Sequence, residues 1–146
     1  MDPTVLLIER ELQQVLTAYA RMCDERDWAA IDAVFSDDAH AEYGGWALPD
    51  RGAILRMLIR NLGGCGPTQH LLGNLTVEHG PDGPRSRISV RAAHRGSAEL
   101  ADQTYECLGE YLDHWVATPR GWRIRHRRMV ITLEIGSRRL LRPAPG

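Results

Sequence analysis

The sequence contains no lysine; all 18 of its basic residues are arginine. Without a lysine amine there is no Schiff-base nucleophile and no anchor for a pyridoxal cofactor. Cysteine is scarce. Cys23, Cys65 and Cys107 are odd in number and far apart, with no CxxC pair, so neither a disulfide framework nor a zinc site is expected. An excess of charge of either sign is missing too. The formal net charge of −1 gives no global field to attract nucleic acid or an anionic membrane. No apolar run approaches the ~20 residues that span a bilayer, and the N-terminus lacks a basic-then-apolar leader pattern. GxGxxG, Walker and GxSxG motifs are absent, and no His or carboxylate cluster has compact metal-ligand spacing. These absences lead us to expect a cytoplasmic protein with no cofactor, no metal, and no nucleic-acid or membrane partner.

What is present reads as one domain over residues 1–146, with a core from about 6 to 136 and an Arg- and Pro-rich tail, 137–146. The tail is expected to be mobile or an oligomer contact. Leu12, Val15, Leu16, Tyr19, Met22 and Cys23 recur at helical spacing. Asp24-Glu25-Arg26-Asp27 breaks that stripe. Asp27 can cap a shorter helix carrying Trp28, Ile31, Val34 and Phe35, which Ser36-Asp37-Asp38 would end. A strand over Ala39–Tyr43 follows, then Gly44-Gly45 and a loop. Asp50 caps a third helix carrying Ile54, Leu55, Leu58 and Ile59, stopped by Gly63-Gly64-Cys65-Gly66-Pro67.

The remainder reads as strands. Thr68–His79 runs to the turn Gly80-Pro81-Asp82-Gly83-Pro84. Ile88, Val90 and Ala92 then alternate with Arg87, Ser89 and Arg91. Thr104–Ala117 puts Tyr105, Tyr111 and Trp115 on one face, and Trp122–Ile135 closes the series after Pro119-Arg120-Gly121. Helices followed by consecutive antiparallel strands make an α+β domain. Here three N-terminal helices would pack on a curved, mostly antiparallel sheet around a pocket suited to a small apolar molecule.

Asp24 falls where the first helix ends, a place where the dipole disfavours a carboxylate. Either a cationic or hydrogen-bonding partner holds it, or it is a solvated loop acid. His70 opens an apolar strand, and period-two counting puts His70, Leu72, Asn74 and Thr76 on one face. Histidine is the natural general base near neutral pH, although a lone histidine can equally be structural. His94 can point inward or sit at a strand end. Tyr43, Trp46, Tyr105, Tyr111 and Trp115 are candidate pocket walls that can also be plain core.

Several segments together carry a family resemblance: Ala18–Trp28, Phe35–Ala39, Gly66–Asn74, Gly109–Asp113 and Gly121–Ile124. The chain resembles the SnoaL-like branch of the nuclear transport factor two-like superfamily. That branch includes scytalone dehydratase, bile acid 7α-dehydratase, ketosteroid isomerase and polyketide cyclases. The resemblance implies a cone-shaped α+β barrel, usually a homodimer or homotrimer. It implies an Asp–His dyad at Asp24 and His70, with Tyr19 completing a catalytic set. Tyr43, Trp46, His94, Tyr111 and Trp115 would contact a small hydrophobic polycyclic, steroid, terpenoid or polyketide substrate. The implied activity is that of a cofactor-independent lyase (dehydratase) or an isomerase or cyclase. A non-catalytic binding module and a dioxygenase β-subunit-like assembly partner are the alternatives. An arginine common in relatives is replaced here by Ala117, and Arg127 or Arg128 would have to supply that cation.

Overall fold

A computed structural model describes residues 2–146. Helix α1, Pro3–Glu25, starts at Asp2, whose carboxylate accepts from the Thr4 N–H at 2.9 Å, with Pro3 in the first turn. Its buried face is Leu12, Leu16, Tyr19, Ala20, Met22 and Cys23, the expected stripe. It stops at Arg26, which adopts a left-handed φ of 57°. That conformation is costly for a side-chain-bearing residue. It is compensated by the guanidinium, which donates to the Leu62, Cys23 and Gly66 carbonyls and to the Thr68 hydroxyl.

A 3₁₀ helix over Trp28–Ala33 follows, and it is shorter than the sequence suggested. Val34 and Phe35 leave it, and strand β1 already runs from Phe35 to Tyr43. The competing force is sheet pairing. The Ile124 N–H donates to the Val34 carbonyl at 2.9 Å, and Phe35 pairs with Ile124. A register shift between Phe35 and His40 leaves Asp37 and Asp38 both exposed, so the strand shows no clean alternation there. Gly44 and Gly45, at φ 56° and 88°, form a two-residue hairpin turn rather than a loop. They return the chain as strand β2, Trp46–Leu48. Helix α2, Arg51–Leu62, is capped by Asp50 through the Ala53 N–H at 2.7 Å.

Strands β3 (Thr68–Gly80), β4 (Gly83–Arg95), β5 (Thr104–Thr118) and β6 (Gly121–Gly136) complete a six-stranded sheet in the order β2-β1-β6-β5-β4-β3. Only β1–β6 is parallel. The sheet is curved into the expected cone and left unclosed, and the helices pack on its inner face. A bulge between Gly73 and Thr76, with Asn74 at φ 60°, corrects the expected facing of β3. His70 and Leu72 share the inner face with Leu75 and Val77, while Asn74 and Thr76 turn outward.

Leu12, Leu16, Phe35, Ile54, Leu58, Trp115 and Ile124 form the centre of the main core. Each fully buried aliphatic or aromatic side chain there contributes about 1.5–3 kcal/mol. A smaller cluster of Leu100, Tyr105, Cys107 and Leu140 lies at the other end of β5. Leu140 belongs to the tail, which is therefore held in place by side-chain burial rather than hanging free. Arg142 ties the tail down further by donating to the Ser97 carbonyl and pairing with Glu99. Among the described residues, no helix is long and apolar enough to cross a membrane.

Candidate functional site

A cavity of about 550 Å³ opens between α2, the β1–β2 hairpin and the inner face of the sheet. That volume suits a drug-sized molecule. Its apolar lining includes Leu48, Met57, Leu62, Ala92, Met129 and Ile131. Its polar residues fall into three groups.

The first group joins α1 to β3. The His70 ring Nδ1 lies 2.7 Å from Asp24 Oδ1. A carboxylate only accepts, so Nδ1 carries the proton, and in the neutral ring Nε2 keeps its lone pair. The same carboxylate accepts from the His70 backbone N–H and from the Thr68 hydroxyl, each at 2.9 Å. The helix therefore ends on a carboxylate that the next wall of the cavity satisfies in full. Burial pushes the Asp24 carboxyl upward. The hydrogen bonds from the His70 ring and backbone, the imidazole's charge and the Thr68 hydroxyl outweigh it and hold the group below its usual value. The His70 side chain is only 6% exposed and lines the cavity, while Asp24, 21% exposed, stands behind it outside the lining.

His94, on β4, stands edge-on to His70 with ring centroids 5.8 Å apart. Its Nδ1 donates to the Tyr105 carbonyl at 3.0 Å, again leaving Nε2 bare. Burial, with a further contribution from His70, pushes its pKa down to about 4. A neutral ring with a bare Nε2 accepts hydrogen bonds near neutral pH and does not act as an acid.

The third group is the floor. Tyr19 and Tyr43 share a hydroxyl–hydroxyl hydrogen bond of 2.9 Å. Behind them Arg127 donates to Tyr43 Oη at 3.4 Å and is gripped by Asp113 at 2.7 and 2.9 Å. The guanidinium carbon lies 4.3 Å from the Tyr19 ring centre and 3.9 Å from that of Tyr111, a cation–π sandwich. Both members of the Asp113–Arg127 pair have side chains at 0% exposure. Burial pushes Tyr19, Tyr43 and Tyr111 above the ordinary phenol value, so all three remain neutral donors. Arg128 faces outward towards Glu42 at 3.7 Å, and Ala117 is exposed.

Most of the residues expected from the sequence meet here. Tyr19, Tyr43, His70, His94, Tyr105 and Tyr111 all line the cavity, with Asp24 directly behind His70. Trp46 lines it at the rim and is 77% exposed. Trp115 does not line it. It shares the inner face of β5, but it sits where the helices pack directly on the sheet, and its indole N–H donates to Ser86 Oγ at 2.8 Å. Sequence reasoning missed Thr68, Arg26 and Asp113. Asp113 had a legible signal, because it shares the parity of Tyr111 and Trp115 and so placed a charge on a buried face. Thr68 and Arg26 act through contacts between segments some 40 residues apart and left no local signal.

Residues 4–128 match the SnoaL-like domain family. An uncharacterised protein of Mycobacterium tuberculosis, Rv2910c, is 33% identical over 124 residues, covering 80% of each chain. A candidate scytalone dehydratase from Novosphingobium aromaticivorans superposes with a TM-score of 0.82 at 20% identity, over 100% of this chain and 98% of that one. A type 3 hexachlorocyclohexane dehydrochlorinase from Novosphingobium barchaimii does so with 0.79 at 14% identity, over 99% and 100%. At these identities the two structural likenesses are likenesses of fold.

Proposed function

The chain belongs to the SnoaL-like family, and from that premise we propose that it is a cofactor-independent acid/base enzyme, a dehydratase, isomerase or cyclase acting on a small hydrophobic ring compound. The observation that carries the reading is the 2.7 Å contact between Asp24 and His70 beside a cavity that the His70 ring lines.

In this mechanism His70 is the general base. Its Nε2 lone pair takes a proton from a carbon next to a carbonyl, and the C–H electrons move into the enolate. Asp24 is a positioning residue. It holds the proton on Nδ1, fixes the ring's orientation and stabilises the imidazolium once it forms. One hydroxyl proton of the Tyr19–Tyr43 pair is spent on their shared bond; the other, close to His70 (Tyr19 and His70 ring centroids 6.4 Å apart), is donated to the enolate oxygen. Arg127 polarises Tyr43 from behind without entering the cavity. A fixed donor of this kind contributes roughly 3–4 kcal/mol to the transition state. In dehydration the enolate expels a hydroxyl from the adjacent carbon, and that hydroxyl leaves as water with the proton from His70 or a tyrosine. In isomerisation His70 returns the proton to another carbon. His94 accepts a substrate hydroxyl through Nε2. With a pKa of about 4, its ring holds no second proton to give a leaving group near neutral pH.

The test works without the natural substrate. Fused-ring ketones are incubated with the protein in D₂O, and deuterium uptake next to the carbonyl is followed by mass spectrometry. The wild type should accelerate uptake and His70→Ala should not. Equal rates with and without His70 would leave a binding module as the better reading. The assembly-partner alternative is disfavoured by an open cavity where a filled one was expected.

A further inference from the structure

Ala53, Met57 and Asn61 recur every four residues along α2, and all three line the cavity. Arg56 and Arg60, each one position earlier than Met57 and Asn61, line it from the solvent side, and both are exposed. Arg56 reaches only Asp50, at 3.9 Å, and its side chain is 71% exposed. Arg60 makes no ion pair or hydrogen bond among the described residues. Arg138, elsewhere on the lining, is already paired with Glu134. No aspartate or glutamate lines the cavity to balance them.

Like charges four residues apart weaken a helix. The helix dipole favours Arg60 in the last turn but does nothing for Arg56. The mouth thus carries two exposed arginines above an apolar interior, Arg60 without an ion pair among the described residues and Arg56 with only the long contact to Asp50. Guanidinium forks match oxyanions, which they bind through paired N–H donors.

We infer that the ligand of this cavity is an amphipathic anion, with an apolar ring system in the interior and an oxyanionic group held at the mouth by Arg56 and Arg60. As a statement about substrate it rests on the acid/base reading above; as a statement about binding it stands alone. The interior takes up the ring by excluding water, and the two arginines set which end enters first. A carbon of the ring is thereby presented to His70 in a fixed orientation. Recognition of this kind weakens with salt, because the arginines lie at the solvent edge.

Two fluorescent probes differing by one group test it: anilinonaphthalene sulfonate and the neutral phenylnaphthylamine. The sulfonate should bind the wild type about tenfold more tightly at low salt, and the preference should shrink as salt is added. In the double variant Arg56→Gln/Arg60→Gln the sulfonate should lose about tenfold in affinity, as expected for two partly exposed pairs together. The neutral probe should change less than about twofold. Both probes should move the ¹³C-methyl signals of Met57 and Met129, which line the cavity. Equal affinity for the two probes would overturn the inference. So would equal weakening of both in the double variant, or a sulfonate that binds without moving either methionine signal. Because no turnover is measured, failure here leaves the role of His70 untouched. Loss of deuterium exchange in the other experiment likewise leaves the arginine result standing.

Discussion

Asp24 and Asp113 each hold a cationic or basic partner close to the Tyr19 ring, and the two pairs are completed differently. Asp113 binds Arg127 through both oxygens, and the guanidinium is filled on its remaining sides by Tyr43, Tyr19 and Tyr111. Neither Asp113 nor Arg127 reaches the cavity to bind anything else. Asp24 is equally well satisfied by His70 and Thr68, yet the imidazole keeps one bare nitrogen. Burial and pairing are strong in both places. What separates a structural ion pair from a reactive one here is an unfilled valence beside a cavity.

Breaking the open pair should have the largest effect. Asp24→Asn or His70→Ala should lower turnover about 10³-fold or more. Melting by circular dichroism should show the variants still folded. Opening the closed pair should reverse the pattern. Asp113→Ala leaves Arg127 buried and uncompensated, and should cost about 3–5 kcal/mol in urea denaturation. Replacing both, as Asp113→Leu with Arg127→Met, should recover most of that stability, since paired apolar groups avoid the desolvation cost.

His94 sharpens the contrast, because its Nδ1 partner is a neutral carbonyl where His70 has a carboxylate. Its folded pKa is about 4 against an ordinary 6.5. The unfolded chain therefore takes up the proton first as pH falls. The stability due to the neutral ring is complete above about 6.5 and declines towards 4, by about 3 kcal/mol across that window. Stability curves for His94→Gln should lose this slope between pH 6.5 and 4, whereas Asp24 acts only at lower pH. The smallest effect belongs to Thr68→Val. It removes one of the three hydrogen bonds to Asp24 and should cost about 1 kcal/mol, or five- to tenfold in turnover.

Much of this was legible in the residues. The α1 stripe, the Asp50 cap and the strand alternations are local signals, and local signals survive folding. The sequence also placed Asp24 at the end of a helix and His70 on the same strand face as Leu72. The failures share one cause, pairing between distant segments. The parallel β1–β6 ladder pulled Phe35 out of a helix whose pattern favoured it. Bulges at Asn74 and after Phe35 broke the two-residue period on which face assignments depend. Gly44-Gly45 was recognised as a break but not as a hairpin turn. Trp115 shows the limit of parity: it gives the face of a residue, and only packing tells cavity wall from core. The tail's burial likewise depends on Leu140 finding Leu100 and Tyr105, which no local pattern encodes.

The central claim is that His70 carries its proton on Nδ1, against Asp24, and offers Nε2 to the cavity. Nitrogen-15 NMR of the His70 ring tests it directly. The expected spectrum shows a protonated Nδ1, with a strongly deshielded proton that vanishes in Asp24→Asn, and a bare Nε2 in the neutral ring. A neutral ring protonated on Nε2, or one whose signals are unchanged in Asp24→Asn, would contradict it.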